Sequence, residues 1–257
     1  PSGANYLNRL IKNSIDNFKP DLIIMGHADK VDPKLLQETK EKYKHTSIAQ
    51  WFLDPLSKKG PDYSKNKSRI LDKSKYLDAS FVTTDPHSLD FKIDNSFFMP
   101  NPCDKSLDYL ENFNSNQDYD IFYAISHGVH RGILRPGKKD EREIFINKLK
   151  KKCSKIKFDT YGMFGRQPVW GDQFLQKLSN SRMALNLSRG KPVKYYSSDR
   201  LAQLMGNGLL TFMDKETKYF DFFKNDEMIF YKNIEDLSEK IIKFSSNDKD
   251  WRKIAKK

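Results

Sequence analysis

Patterns typical of helices and of buried strands alternate along this sequence, and this alternation limits the chain to α/β folds. Strand and helix signals in this order are typical of a parallel sheet whose strands are joined by crossover helices. In the N-terminal half, a helix is predicted over residues 6–18 and a buried strand over 21–26. The other predictions for this half are a helix over 35–43 and strands over 47–53, 79–84 and 96–99.

The second half repeats the alternation, starting with a strong strand pattern over residues 119–125. A helix is predicted to begin near Asp140, which forms a capping box with Glu143. The remaining predictions are strands over 155–161, 183–187 and 209–213 and helices over 173–178, 200–205, 237–244 and 251–254.

The length of 257 residues is near the upper limit for a single hydrophobic core, so it accommodates two α/β domains. Residues 104–118 are polar and show no strand pattern. They predict a linker between an N-terminal domain over 1–103 and a C-terminal domain over 119–257. Doubly wound domains usually begin with a strand, whereas this chain begins with a helix. We therefore expect the first strand of the N-terminal domain to be missing or to lie upstream.

Composition argues against a membrane-spanning protein and against a disulfide-stabilised one. Hydrophobic residues make up 37% of the chain, and no apolar run approaches the ~20 residues of a membrane-spanning helix. The two cysteines, Cys103 and Cys153, form neither a disulfide framework nor a CxxC motif, which suits a reducing compartment. We predict a cytoplasmic protein.

The basic residues are informative mainly through arginine. The formal net charge is +12, but most of the 46 basic residues are lysines spread along the whole chain. Most of the arginines lie between residues 131 and 200, and arginine binds phosphate in a bidentate manner. Their clustering indicates an anionic ligand, although an arginine-rich solvated surface is the alternative. The residues on which we base this interpretation are Arg131, Arg135, Arg166, Arg182, Arg189 and Arg200.

The segment 183–211 combines several features of a phosphate site. A predicted strand ends at Leu187, a basic loop follows, and Ser198 or Asp199 caps a helix that begins at Arg200. Ligands of open α/β sheets bind at the carboxyl ends of strands, and free N–H groups at a helix start attract phosphate. An ordinary connection with a solvated loop is the alternative.

The same segment resembles the glycosyltransferase group 1 and spore-maturation-type families of GT-B enzymes. Their C-terminal domains carry a strand ending in LN and then the pattern RLFEAMACG, which is similar to the residues RLAQLMGNG at 200–208. Residues 219–231 resemble the closing segment of these families, so the resemblance covers most of the C-terminal half. It implies two Rossmann-like domains facing a cleft, with the donor nucleotide-sugar on the C-terminal domain and no metal or other cofactor.

The resemblance also implies roles for individual residues. Gln203 stands where the family has a glutamate that holds the donor ribose, and a glutamine still accepts a hydrogen bond from a hydroxyl. Tyr195 stands where some relatives carry a second glutamate, so no retaining mechanism is inferred from a glutamate pair. The other residues of this segment expected at the donor are Arg189, Lys194, Ser198, Asp199 and Arg200.

Two turns complete the predicted donor site. The turn 126–132 follows the first strand of the C-terminal domain, where GT-B enzymes place a glycine and basic residues against the diphosphate. The candidates are Gly128, Arg131 and either His127 or His130. The alternative is that the histidines of this turn are ordinary surface residues. Two histidines without a third ligand nearby do not indicate a metal site. Phe164 and Gly165 lie after the next strand, where relatives hold the nucleobase.

Candidates for a catalytic base lie in the N-terminal half. Asp54 and His27 each follow a predicted strand, where a carboxylate or imidazole accepts a proton from an acceptor hydroxyl. Either residue equally suits a helix cap.

We therefore predict a glycosyltransferase that moves a sugar from a nucleotide-diphosphate sugar to a glycan or lipid-linked acceptor. Synthesis of cell-surface polysaccharide or lipopolysaccharide is the expected context. The basic surface suits peripheral contact with an anionic membrane at its inner face. One alternative is a sugar-nucleotide epimerase of the same fold. The other is a nucleic-acid-binding protein, which is disfavoured because the sequence carries no known nucleic-acid-binding module.

Overall fold

The structure, a computed structural model, describes residues 3–26, 28–126 and 140–257. It divides into two compact units over residues 1–100 and 101–257, each built on its own parallel sheet. The prediction of two Rossmann-like α/β domains is confirmed. No described helix is both long and apolar enough to cross a membrane.

The N-terminal unit contains a four-stranded parallel sheet with the strand order β1-β2-β3-β4. Asp32 caps the second helix by accepting a hydrogen bond from the Lys34 backbone N–H, and Pro33 follows it at the first helical position. The strands are β1 (Leu22–Gly26), β2 (Ser47–Phe52), β3 (Ala79–Val82) and β4 (Ser96–Phe98), and the helices are α1 (Gly3–Phe18), α2 (Pro33–Lys42) and α3 (Tyr63–Ser74).

Helices α1 to α3 cover one face of this sheet. Ile48 of β2 packs with residues of α1 and α2, and Phe52 of the same strand face packs with Ile70 of α3. On the opposite face Leu22, Ile24 and Phe97 are each more than half exposed. Among the described residues, only the α1–α3 face is buried by helices.

The C-terminal unit contains a five-stranded parallel sheet with the strand order β6-β5-β7-β8-β9. The strands are β5 (Tyr119–Ala124), β6 (Phe158–Tyr161), β7 (Ser181–Asn186), β8 (Leu210–Asp214) and β9 (Ile229–Tyr231), and the helices are α4 (Glu141–Lys152), α5 (Gly171–Leu178), α6 (Arg200–Gly206), α7 (Ile234–Ser245) and α8 (Asp248–Ala255).

Both faces of this second sheet are buried. One face packs against α4, α7 and α8, where Trp251 is fully buried, and the other packs against α5 and α6 through Leu178 and Leu204. The chain passes from β5 to β6 on one side and then to β7 on the other side of β5. In sheets of this order, ligands bind outside the carboxyl ends of the strands where the direction reverses. The ends of β5 and β7 are therefore the expected place for a ligand.

The predicted linker, residues 104–118, is part of the C-terminal unit in the structure. The buried Asn112 side chain donates to the carbonyl oxygens of Leu178 and Ser181 at 2.9 and 2.8 Å. The Arg252 guanidinium donates to the Phe113 carbonyl oxygen at 2.7 Å. Polar residues without a strand pattern are thus fixed here by side-chain to backbone hydrogen bonds, which sequence periodicity does not reveal.

Candidate functional site

A cavity of about 610 Å³ lies at the switch point of the C-terminal sheet. Its walls are the end of β5, the starts of α5 and α6, and a short stretch of the segment that precedes β5. Its lining residues include Leu107, Asp108, Tyr109, Ser126, Trp170, Asp172, Asp199, Arg200 and Gln203.

The start of α6 forms one wall of this cavity. Asp199 caps the helix by accepting a hydrogen bond from the Arg200 backbone N–H at 3.1 Å. Leu201 and Leu204 are buried beneath the helix, so Arg200 and Gln203, three residues apart, emerge on the side that lines the cavity. The structure thus brings together three residues predicted for the donor site.

Contacts with Leu187 and Tyr123 hold the Arg200 side chain in place. Its guanidinium donates to the Leu187 carbonyl oxygen at 3.2 Å and lies 5.2 Å from the centre of the Tyr123 ring. The Tyr123 hydroxyl donates to the same carbonyl oxygen at 2.8 Å. Burial raises the pKa of Tyr123, which keeps that hydroxyl protonated. The hydrogen bond to Leu187 uses one of the five N–H groups of the Arg200 guanidinium.

A buried ion pair between Asp140 and Arg142 lies at the start of α4. Asp140 caps the helix as predicted, but its partner is Arg142 rather than Glu143. The carboxylate accepts from the Arg142 backbone N–H at 3.0 Å, from Nε at 2.8 Å and from Nη2 at 2.7 Å. Sequence reasoning did not single out Arg142, although it belongs to the arginine-rich range.

The basic loop between β7 and α6 follows the same edge of the sheet. The Gly190 backbone N–H donates to Glu141, which ties the loop to the start of α4. The Lys194 ammonium lies 4.7 Å from the centre of the Tyr195 ring, and the Ser198 hydroxyl lies 3.5 Å from the Asn186 amide oxygen. The residues of this loop do not line the 610 Å³ cavity until Asp199. Arg189, Lys194 and Ser198 therefore do not form part of its wall.

Residues 138–257 match the model of a family described as glycosyl transferase-like. The match covers most of the C-terminal unit, so this unit is similar to that family. The match begins just before α4 and includes the basic loop, Arg200 and Gln203. A comparison of the sequence with curated proteins gives no significant match.

Solved structures with the same fold include glycosyltransferases of the GT-B class. Anabaena HepE in complex with UDP and glucose is 11% identical with a TM-score of 0.62, over 99% of this chain and 76% of that one. Sucrose-phosphate synthase from Thermosynechococcus elongatus is 10% identical with a TM-score of 0.58, over 97% and 70%. A protein from Listeria monocytogenes assigned as a UDP-N-acetylglucosamine 2-epimerase is 12% identical with a TM-score of 0.53, over 98% and 73%. At these identities the similarity establishes the GT-B fold alone.

Phe164 and Gly165, predicted for the nucleobase, lie in the loop after β6 of the glycosyltransferase-like unit. The Lys150 ammonium of α4 lies 4.5 Å from the centre of the Phe164 ring, and neither residue lines the cavity. Gly162 starts this loop with a φ of +74°, and a Cβ there would lie 1.9 Å from the Ile125 carbonyl oxygen. Only glycine fits so close to the end of β5.

Sequence reasoning missed the aromatic residues of the cavity. Trp170 precedes α5 and Tyr109 belongs to the predicted linker, and both line the cavity. A tryptophan directly before a helix start was the available signal for Trp170. No local pattern indicated Tyr109, because the folding of the segment before β5 onto this unit brings it there.

Asp54 lies in the N-terminal unit and is paired with an arginine. Its carboxylate accepts from Arg69 Nη1 at 3.0 Å, and Arg69 Nε donates to Asp29 at 2.8 Å. Arg69 therefore connects the turns that follow β1 and β2. The catalytic role of Asp54 stays a prediction.

The predicted residues that lie outside the described residues are His27, His127, Gly128, His130, Arg131 and Arg135. Across residues 3–26, 28–126 and 140–257, no group of three or more His, Cys, Asp or Glu side chains is arranged to hold a metal ion.

The ribose-binding role predicted for Gln203 can be tested directly. We expect Gln203→Leu to weaken nucleotide binding about fivefold, because the loss of one hydrogen bond to a ribose hydroxyl costs ~1 kcal/mol. Gln203→Glu is expected to preserve or strengthen binding, because a carboxylate accepts from hydroxyls more strongly than an amide. Calorimetric titration of each variant with the best nucleotide measures both effects. Gln176→Leu on α5, outside the cavity wall, is the control, and unchanged affinity of Gln203→Leu contradicts the ribose assignment.

Proposed function

We propose that the protein transfers a sugar from a nucleotide-diphosphate sugar to a hydroxyl of a glycan or lipid-linked acceptor. The observation that carries this proposal is the cavity at the switch point of a glycosyl transferase-like unit, with Arg200 and Gln203 in its wall. The similar fold of HepE, whose structure holds UDP and glucose, supports a nucleotide-sugar as the donor. Cell-surface polysaccharide or lipopolysaccharide synthesis is the context we propose.

The charges that line the cavity favour binding of the neutral nucleoside part of the donor over its diphosphate. Among the described residues, three carboxylates line the cavity, those of Asp108, Asp172 and Asp199, and Arg200 is the one basic residue. A diphosphate surrounded by three carboxylates would be repelled, whereas ribose hydroxyls and base N–H groups donate hydrogen bonds to carboxylates. The nucleoside is therefore proposed to occupy the cavity.

The diphosphate is proposed to lie at the cavity edge, between Arg200 and the basic loop that carries Arg189, Lys191 and Lys194. Sugar transfer develops negative charge on the leaving diphosphate, and positioned cations stabilise it in the transition state. Arg200 suits this role because Leu187 and Tyr123 already fix its orientation. We propose that these side chains carry out this task without a metal ion.

For the acceptor, we propose that Asp54 or His27 is the base that removes the proton of the attacking hydroxyl. The bond from this oxygen to the anomeric carbon forms as the bond to the donor phosphate breaks. For a lipid-linked acceptor, surface lysines near anionic headgroups would contribute ~1 kcal/mol each to peripheral binding.

The test is a ligand screen followed by product analysis. A nucleotide that binds the folded protein at 100 times its dissociation constant is expected to add ~2.7 kcal/mol to stability, which a thermal-shift assay detects. Nucleotide-sugars of the best base are then incubated with candidate acceptors in the presence of EDTA, and mass spectrometry follows the products. A glycosylated acceptor with release of nucleoside diphosphate supports the proposal. An isomerised nucleotide-sugar without transfer would identify an epimerase, and the absence of any nucleotide binding would reject both.

A further inference from the structure

Three large apolar side chains are exposed at the cavity in the C-terminal unit. The exposed fractions are 52% for Trp170, 59% for Tyr109 and 66% for Leu107, and all three line the same cavity. Large apolar groups gathered at the mouth of a polar cavity mark a surface that a ligand covers. Flat aromatic side chains suit a flat ring, because stacked rings bury both faces.

The neighbouring carboxylate of Asp172 has no assigned structural task. Asp108 accepts from the Asn207 amide at 2.9 Å and from the Asp104 backbone N–H at 3.3 Å, and Asp199 caps α6. No described residue forms a hydrogen bond or ion pair with Asp172, which is exposed in the first turn of α5. Its two oxygens are available to a ligand in the cavity.

Trp170 and Asp172 stand on either side of Gly171 at the start of α5, and both line the cavity. Trp170 is extended, with a φ of −142°, and its side chain makes no capping hydrogen bond to the helix. Gly171 between them has a φ of +53°, a conformation that side chains disfavour. The sequence Trp-Gly-Asp therefore presents an aromatic ring and a carboxylate at one end of the cavity.

We propose that Trp170 stacks on a guanine base and that Asp172 accepts hydrogen bonds from its edge, which makes the donor a guanosine-diphosphate sugar. This inference rests on the proposed function, because it assigns the base of the nucleotide in that same cavity. Aromatic stacking provides affinity for any base, and the carboxylate provides the selection.

The selection follows from the hydrogen-bonding edges of the bases. A carboxylate only accepts, and guanine offers two adjacent donors, the ring N1–H and the exocyclic amino group. Adenine and cytosine place an acceptor nitrogen next to their amino group, which repels the second oxygen. Uracil flanks its single N–H with two carbonyl oxygens. Guanine is therefore the base that satisfies both oxygens of Asp172.

Calorimetric titration with GDP, IDP, UDP and ADP tests the proposal on the whole chain. IDP is the sharpest probe, because it differs from GDP only by the missing amino group. We expect GDP to bind roughly ten- to hundredfold more tightly than IDP, the range for one hydrogen bond to a charged group. Asp172→Asn is expected to abolish most of this difference. Trp170→Ala is expected to weaken GDP and IDP alike, roughly five- to hundredfold, with partial recovery in Trp170→Phe.

Asp250→Asn is the matched control, because Asp250 lies in the first turn of α8, which has the same length as α5. It is expected to leave the GDP to IDP ratio unchanged. Preference for UDP or ADP, or equal binding of GDP and IDP, overturns the guanine assignment and leaves the proposed transferase in place. If none of the nucleotides or nucleotide-sugars binds, the proposed function fails with it.

Discussion

The Arg200→Ala variant is expected to bind the donor nucleotide diphosphate ten- to hundredfold more weakly than the parent protein. A charge-assisted hydrogen bond is worth ~1.5–3 kcal/mol, and this variant lacks the one basic side chain among the described residues that line the cavity. The effect should be larger for a diphosphate than for the free nucleoside, because Arg200 is proposed to contact phosphate. Calorimetric titration with the nucleoside, its monophosphate and its diphosphate measures this difference.

Arg182→Ala is the control for this experiment. Like Arg200, Arg182 donates to a backbone carbonyl oxygen, that of Ser245. It lies at the start of β7, at the opposite end of the strand from the cavity. Tyr123 still donates to the Leu187 carbonyl oxygen when Arg200 is removed, so the loop keeps one of its two contacts. Unchanged diphosphate affinity in a folded Arg200→Ala protein would remove this residue from the site.

Elements with strong local patterns were predictable from the sequence. The strand predicted over 119–125 is observed as Tyr119–Ala124, and the helix predicted over 200–205 is observed as Arg200–Gly206. Continuous apolar runs identify buried parallel strands, and the aspartate before Arg200 marks the helix start. Because the carboxyl ends of parallel strands share one edge, the general position of the candidate site followed from these elements.

Helix α3 was not predicted, for a physical reason. Its buried positions are Asn66, Ile70 and Lys73, so two of its three buried residues are polar and the apolar spacing is hidden. Asn66 donates to the Pro55 carbonyl oxygen at 3.1 Å, which compensates its burial. A periodicity argument counts apolar residues and cannot detect such a helix.

The aromatic residue in the cavity wall could not be predicted locally either. The loop from β6 to α5 contains both Phe164, beside α4, and Trp170, in the cavity wall. Helices α4 and α5 cover opposite faces of the sheet, so the two ends of one loop lie on different sides. Only the tertiary structure shows which aromatic residue borders the cavity.

Among the variants described, Arg142→Leu is expected to lower the free energy of unfolding the most. The side chains of Arg142 and Asp140 are 9% and 3% exposed, and Arg142→Leu leaves the buried carboxylate without its main partner. Breaking a buried ion pair typically costs ~3–5 kcal/mol. Urea unfolding at neutral pH measures this loss. The double variant Asp140→Asn, Arg142→Leu removes both charges and is expected to regain part of the stability. Equal stability of the single variant and the parent would contradict the assigned role of the pair.

The pH dependence gives a second measure of the same ion pair. Burial alone would raise the pKa of Asp140, but the hydrogen bonds and charge of Arg142 hold it below its ordinary value of 3.8. A carboxyl whose pKa is lower in the folded state stabilises the fold above pH ~4 and loses that contribution as the pH falls further. Without Arg142, burial is expected to raise the pKa of Asp140 above the unfolded value, so proton uptake favours the folded variant as the pH falls from 7 towards ~4. The difference in unfolding free energy between parent and Arg142→Leu should therefore shrink over this range, because the other carboxyl groups contribute equally to both proteins. A difference that stays constant between pH 7 and pH 4 would show that Arg142 does not control the ionisation of Asp140.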